Sequence, residues 1–141
     1  MSGYLLDTNV VSELTKLQPD SRVVKWVHAT NEELLYLSVL AIGEIRNGID
    51  LLAHGNKRSL LESWLANDLV LRFGGRILGV TLDIAERWGM ISAQARLSGT
   101  QLAVVDGLMA ATALHHNLTL VTRNVKDVRV AGITTLNPWQ L

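Results

Sequence analysis

The chain predicts an α/β fold with a mainly parallel central sheet covered by helices on both faces. Three observations carry that prediction. Short apolar runs of strand type alternate with segments of helical period along the whole length. Hydrophobic residues make up 48% of the 141 positions, enough to fill one core. Residues 106–116 are apolar nearly all round, as a helix buried against a sheet should be. Strands separated by helices return in the same direction, so the sheet is mainly parallel.

The elements follow in order. Tyr4-Leu5-Leu6 reads as the first strand, halted by the turn-favouring Asp7-Thr8-Asn9. Residues 10–16 have helical period, and Pro19-Asp20-Ser21 signals the start of a helix over residues 22–29. Leu35-Tyr36-Leu37 is a second strand. Ser38 is placed to cap a helix over residues 39–53, with Ile42, Ile45, Ile49 and Leu52 along one stripe. A polar connector from His54 to Arg58 leads to a helix over residues 59–69. Residues 76–80 read as a third strand, and residues 81–98 as an amphipathic helix with Ile84, Trp88, Ile91 and Ala95 on one face, stopped by Gly99-Thr100. After the helix over residues 106–116 come a fourth strand over residues 118–122 and a short fifth over residues 133–136. No repeat, low-complexity stretch or linker interrupts the pattern, so the chain reads as one domain over residues 1–141.

Thirteen basic and thirteen acidic residues cancel, so there is no overall basic footprint for nucleic acid, although a local stripe can serve. The absence of cysteine excludes disulfides, thiolate zinc sites and cysteine nucleophiles. No basic segment followed by an apolar stretch opens the chain, and no run approaches the roughly 20 apolar residues of a membrane span. A cytoplasmic protein that uses no membrane is the expectation.

Four acids stand out because each sits in or beside an apolar run: Asp7 after Tyr4-Leu5-Leu6, Glu44 after Leu40-Ala41-Ile42-Gly43, Asp106 after Leu102-Ala103-Val104-Val105, and Asp127 in the loop after Leu118-Thr119-Leu120-Val121. Carboxylates are rarely buried unless their charge is compensated. In parallel α/β sheets ligands bind beyond the carboxyl ends of the strands. Asp7 ends the first strand and residues 122–127 follow the fourth, so neighbouring strands would open both loops on one crevice. Asp106 reaches that crevice with help from its preceding loop, and Glu44 if its helix leans over the first strand. Taken singly, Asp7 and Asp106 read better as helix caps and Asp127 as a polar loop residue, whereas Glu44 interrupts an apolar stripe. Taken jointly, an all-oxygen donor set without His or Cys fits Mg²⁺ or Mn²⁺ and does not fit zinc or copper. Such a cation suits phosphodiester hydrolysis.

The stretches Leu6-Asp7-Thr8-Asn9-Val10-Val11-Ser12-Glu13, Leu37-Ser38-Val39-Leu40-Ala41-Ile42-Gly43-Glu44-Ile45-Arg46-Asn47-Gly48, Asp106-Gly107-Leu108-Met109-Ala110-Ala111-Thr112-Ala113 and Thr122-Arg123-Asn124-Val125-Lys126-Asp127 resemble the PIN-domain family. More narrowly they resemble bacterial toxins of the VapC and FitB type, down to the closing Leu136-Asn137-Pro138-Trp139. The resemblance spans essentially the whole chain. It implies a Rossmann-like sheet of order 3-2-1-4-5 and a Mg²⁺- or Mn²⁺-dependent endoribonuclease that cleaves RNA with metal-activated water, leaving a 3′-hydroxyl and a 5′-phosphate. It further implies the toxin role in a type II toxin–antitoxin module. Its partners would be a VapB- or FitA-like antitoxin seated around residues 10–17 and 39–52, and a second copy in a homodimer or larger assembly. DNA would be met only through the antitoxin. By position Asp7, Glu44 and Asp106 match the core metal-binding acids and Asp127 the fourth, more variable one, so all four are catalytic candidates. Thr8, Asn9, Thr122 and Asn124 match supporting polar positions. Val128 departs from the pattern, standing where this type more often has Phe, and the loop after it is short.

Arg46, Arg123 and Lys126 are candidate phosphate contacts, against the plainer reading of solvated charges. The four tryptophans read as core or interface, and Trp88, Met90 and Ile91 are the suspects for a dimer face. A phosphotransfer receiver domain is a rival, but Thr81 follows the third strand where it would need Asp. A haloacid-dehalogenase-type phosphatase would need Asp where Asn9 stands. The non-enzyme rival is a catalytically weak PIN-fold binding module acting on DNA through its antitoxin.

Overall fold

The computed structural model describes residues 2–129 and 132–141. The short loop after Val128 includes residues 130 and 131, which lie outside the described residues.

Five strands form one parallel sheet in the order β3-β2-β1-β4-β5, as expected: β1 (Tyr4–Leu6), β2 (Leu35–Ser38), β3 (Ile77–Leu78), β4 (Thr119–Val121) and β5 (Thr135–Leu136). In the central pair Tyr4, Leu5 and Leu6 stand beside Thr119, Leu120 and Val121. The strands are apolar on both faces because both are covered. Leu5 and Leu120 turn to one layer with Met109, Ala113 and Val128, while Leu6 and Val121 turn to the other with Val10, Val23, Leu65 and Phe73. This is the period-two alternation of a strand, with each parity buried.

The helices are α1 (Thr8–Leu14), α2 (Ser21–Ala29), α3 (Val39–Asp50), α4 (Asn56–Ser63), α5 (Val70–Phe73), α6 (Leu82–Leu97) and α7 (Val104–His115). Ser38 caps α3 as predicted, its hydroxyl accepting from Leu40 N at 3.0 Å. Thr81 caps α6 in the same way at 3.3 Å from Ile84 N.

Several boundaries differ from expectation, each for a local reason. The chain enters α1 at Thr8 because Asp7 caps it. The helix predicted over residues 59–69 begins at Asn56 and reaches Phe73, through a π-helical stretch at Trp64–Leu69, and stops where Gly74 turns to φ 41°. The third strand shrinks to Ile77–Leu78 because β2 is its single neighbour and Gly79 and Val80 are exposed. Helix α7 begins at Val104, so Asp106 lies within its first turn. Of the suspected dimer residues, Ile91 is buried and Trp88 packs in a cluster with Ile84 and Ala111, leaving Met90 exposed. No described helix is long and apolar enough to cross a membrane.

Candidate metal-binding site at the mouth of the sheet

The carboxyl ends of β1 and β4 lie side by side, and the site is built where they stop. Asp7 closes β1: its backbone N–H donates to Val121 O at 2.9 Å, tying the two strand ends together. Its carboxylate is held from both sides. Oδ1 accepts from Thr8 N at 2.8 Å, and Oδ2 accepts from the Thr122 hydroxyl at 2.7 Å. Asp7 therefore caps α1 with one oxygen and is held by Thr122 through the other.

The supporting polar residues fall into the same network. The Thr8 hydroxyl donates to Glu44 Oε1 at 2.6 Å, joining α3 to the start of α1. Thr122, fully buried, also accepts from Asn124 N at 3.1 Å and more weakly from Asn9 Nδ2 at 3.4 Å. Asn124 thus supports the mouth through its backbone. Asn9 Oδ1 is buried there without a partner.

Asp7 and Asp106 are half-buried, whereas Glu44 and Asp127 stand exposed at the rim. Glu44 lies off the buried stripe of α3, which is Ala41, Ile45 and Ile49. Asp127 sits in a 3₁₀ turn, Val125–Val128, anchored by Val128, which is buried with Leu5, Met109 and Leu120.

The charges of the cluster bear on Asp106 and Asp7. Burial pushes the Asp106 carboxyl above its ordinary range, and the charges of Asp7, Asp127 and Glu44 add to that. Burial also raises Asp7, opposed by the hydrogen bonds from Thr122 and Thr8 and reinforced by the charge of Glu44. Like charges gathered without a counter-ion disfavour their own ionisation. Among the described residues no three acids or histidines close up tightly enough to grip an ion unaided. Carboxylates gathered at neighbouring strand ends, with an unpartnered amide oxygen beside them, suit a hard cation that keeps part of its water shell.

The candidate phosphate contacts separate. Arg46 is committed to Asp50 at 2.6 Å and Glu62 at 3.0 Å. Arg123 stacks over Trp139 at 5.3 Å, and among the described residues neither it nor Lys126 forms an ion pair. An apolar groove of about 580 Å³ runs between α1, α2 and the helix after α4, lined by Val11, Leu14, Val24, Leu61, Trp64 and Phe73. A depression of about 150 Å³ shares Leu61 and Trp64 with it and reaches Glu44. The groove expected over residues 10–17 and 39–52 is thus divided: α3 lines only the smaller depression.

The sequence reading assigned no role to Glu13, the most buried acid. It accepts from Lys16 Nζ and Asp20 N, each at 2.9 Å, and shapes the loop between α1 and α2. Its signal was available: an acid between the apolar Val10, Val11 and Leu14.

A parallel α/β domain with carboxylates around the mouth of its two central strands is the class that fold and site define. Residues 4–133 match the PIN domain model, and the chain belongs to the PIN-domain family, with proteins of the VapC and FitB type. It is 36% identical over 136 residues to VapC ribonuclease Y4jK of Sinorhizobium fredii, covering 96% of this chain and 97% of that protein. It is 38% identical over 135 residues to Toxin FitB of Neisseria gonorrhoeae, covering 96% and 97%. The solved structure of FitAB bound to an IR36 DNA fragment matches at a TM-score of 0.93 and 37% identity, covering 98% of this chain and 96% of that one.

Proposed function

We propose that the chain is a Mg²⁺- or Mn²⁺-dependent endoribonuclease, the toxin of a type II toxin–antitoxin module. The observation that carries the reading is the convergence of the acids: burial and the charges of Asp7, Asp127 and Glu44 bear on Asp106, and the Thr8 and Thr122 hydroxyls tie Glu44 and Asp7 to the same strand ends, in a chain similar to a VapC ribonuclease and a FitB toxin. Asp7, Glu44 and Asp106 would hold the cation, with Asp127 at the rim holding a second or orienting water. When bound, the cation neutralises phosphate charge and acidifies water for in-line attack on phosphorus. Thr8 and Thr122 fix the Asp7 and Glu44 carboxylates, so little reorganisation is left for the moment of reaction. Arg123 and Lys126 are the proposed phosphate contacts. Arg46 is assigned no such role because Asp50 and Glu62 occupy it.

The antitoxin is proposed to lie in the groove between α1, α2 and the helix after α4, with a basic side chain following the smaller depression to Glu44. The likeness to FitAB on DNA supports an assembly that meets DNA through the antitoxin. A homodimer is proposed on the exposed apolar side chains Leu82, Met90 and Leu97 of α6. The purified chain should cleave RNA with Mn²⁺ and not with EDTA, and Asp7→Asn should abolish cleavage with the fold intact. Full activity in Asp7→Asn would overturn the assignment.

A further inference from the structure

Asp7 and Glu44 are held by hydrogen bonds, but among the described residues the Asp106 carboxylate receives none. The N-cap of α7, Ala103, makes no side-chain bond to the helix either. Where Asp106 stands is therefore decided by how the first turn of α7 is seated. That seat is unusually close. A Cβ built on Gly107 would stand 2.8 Å from Trp88 Cδ1, 2.9 Å from Trp88 Nε1 and 3.2 Å from Leu102 Cδ2. Trp88 itself packs against the cluster of Ile84, Ile91 and Ala111, and among the described residues its indole N–H is buried without a partner.

Two costs are accepted at this point: a glycine inside a helix and an unsatisfied indole N–H. The backbone of Gly107 has no positive φ to explain the glycine, so close approach explains it. We propose that Trp88, against Gly107, is a positioning residue for Asp106, pressing the first turn of α7 to the depth at which that carboxylate joins the mouth. Leu102 does the same from the preceding loop. The contact sets position through packing alone, since neighbouring Cα atoms are about 3.8 Å apart and the turn moves as a unit. The inference rests on the mouth being the catalytic site.

Gly107→Ala tests it, because alanine favours the helix while its methyl must displace the indole or the turn. In a crystal structure superposed on the sheet, Asp106 should shift by more than about 0.5 Å, the tolerance of a productive site. Mn²⁺ affinity by calorimetry and kcat for RNA should each fall about tenfold or more, with KM changed less than about twofold. Adding Trp88→Leu should restore much of the loss. An unmoved Asp106, with affinity and kcat within about twofold of wild type, overturns the proposal. Should the wild type neither bind Mn²⁺ nor cut RNA, the proposed function fails, and the crystal structures still decide the positioning. Should Gly107→Ala not fold, Trp88→Leu alone serves. The Gly107 amide, bonded to Ala103 O at 2.9 Å, should then lose at least tenfold more exchange protection than that of Ala111, and an equal loss overturns the proposal.

Discussion

Thr122→Val isolates a single hydroxyl at the centre of the site. Thr122 is fully buried, its Oγ1 donating to Asp7 Oδ2 at 2.7 Å and accepting from Asn124 N at 3.1 Å. Valine fills nearly the same space but makes neither bond, and no water replaces them in a fully buried position. A hydrogen bond to a charged carboxylate contributes about 1.5–3 kcal/mol, and an abandoned neutral donor costs about 1 kcal/mol more. The loss should therefore be about 2–4 kcal/mol, on the order of 10 °C in melting temperature for a chain of this size. The effect also has a pH signature. The Thr122 bond favours ionised Asp7 and opposes the rise that burial imposes, so its removal raises the folded-state pKa further. The penalty is full at neutral pH and shrinks as pH falls through the raised pKa, and the acid limb of RNA cleavage moves to higher pH. Denaturant unfolding from pH 5 to 8 and a kcat profile over that range read both effects, with Thr122→Ser as the rescuing control. A Thr122→Val protein within about 0.5 kcal/mol of wild type, with an unshifted acid limb, refutes the reasoning.

Other perturbations probe the charges and the loops. Asp106→Asn should raise the stability of the metal-free protein at neutral pH, by less than about 1 kcal/mol because solvent screens the half-exposed carboxylate. Burial and three like charges outweigh the favourable helix N-terminus, which gives about 0.3–1 kcal/mol. Because the folded-state pKa of Asp106 is raised, the gap should close on acidification, and a less stable Asp106→Asn at pH 7.5 in thermal melts would contradict it. Mn²⁺ should raise the melting temperature of wild type and leave Asp7→Asn/Asp106→Asn unmoved; equal rises in both would disprove a site there. Glu13→Gln should cost about 1–2 kcal/mol at pH 7, chiefly through the Asp20 amide, since Lys16 is more than half exposed. Its partners hold Glu13 below the usual carboxylate range, so the wild-type advantage should be full at neutral pH and vanish as pH falls through that lowered value. Urea melts at pH 7 and pH 3 would show this, and an advantage unchanged at pH 3 would speak against it.

Most of the fold was legible because its signals are local. Tyr4-Leu5-Leu6 and Leu35-Tyr36-Leu37 are continuous apolar runs, Ser38 and Thr81 are helix caps, and alternation of strands and helices fixes parallel pairing. The strand order was a different matter: it came with the family resemblance, and the sheet matches it. Boundaries failed where tertiary partners decide them. Residues 76–80 have strand composition throughout, but only Ile77 and Leu78 find a neighbour in β2. The helix after Asn56 outlasts its predicted end because Val70 and Phe73 still have core to cover, and the signal that stops it is Gly74.

The candidate site divides along the same line between composition and orientation. An acid after an apolar strand can be recognised in a sequence, but not which way each oxygen faces. Asp7 could be read as a cap or as a ligand, and the structure shows the cap: Oδ1 takes the Thr8 amide while Oδ2 takes the Thr122 hydroxyl. Glu44 drew notice for breaking an apolar stripe, yet it lies on the exposed side of α3, and what draws it to the mouth is the Thr8 hydroxyl. Arg46, two residues on, is turned away by Asp50 and Glu62, carboxylates four and sixteen positions along the chain. Asp106 is the limiting case. Among the described residues no polar partner fixes it, so its place depends on the depth of a helix against an indole, a distance that residue type and spacing do not encode and that a single methyl on Gly107 would change.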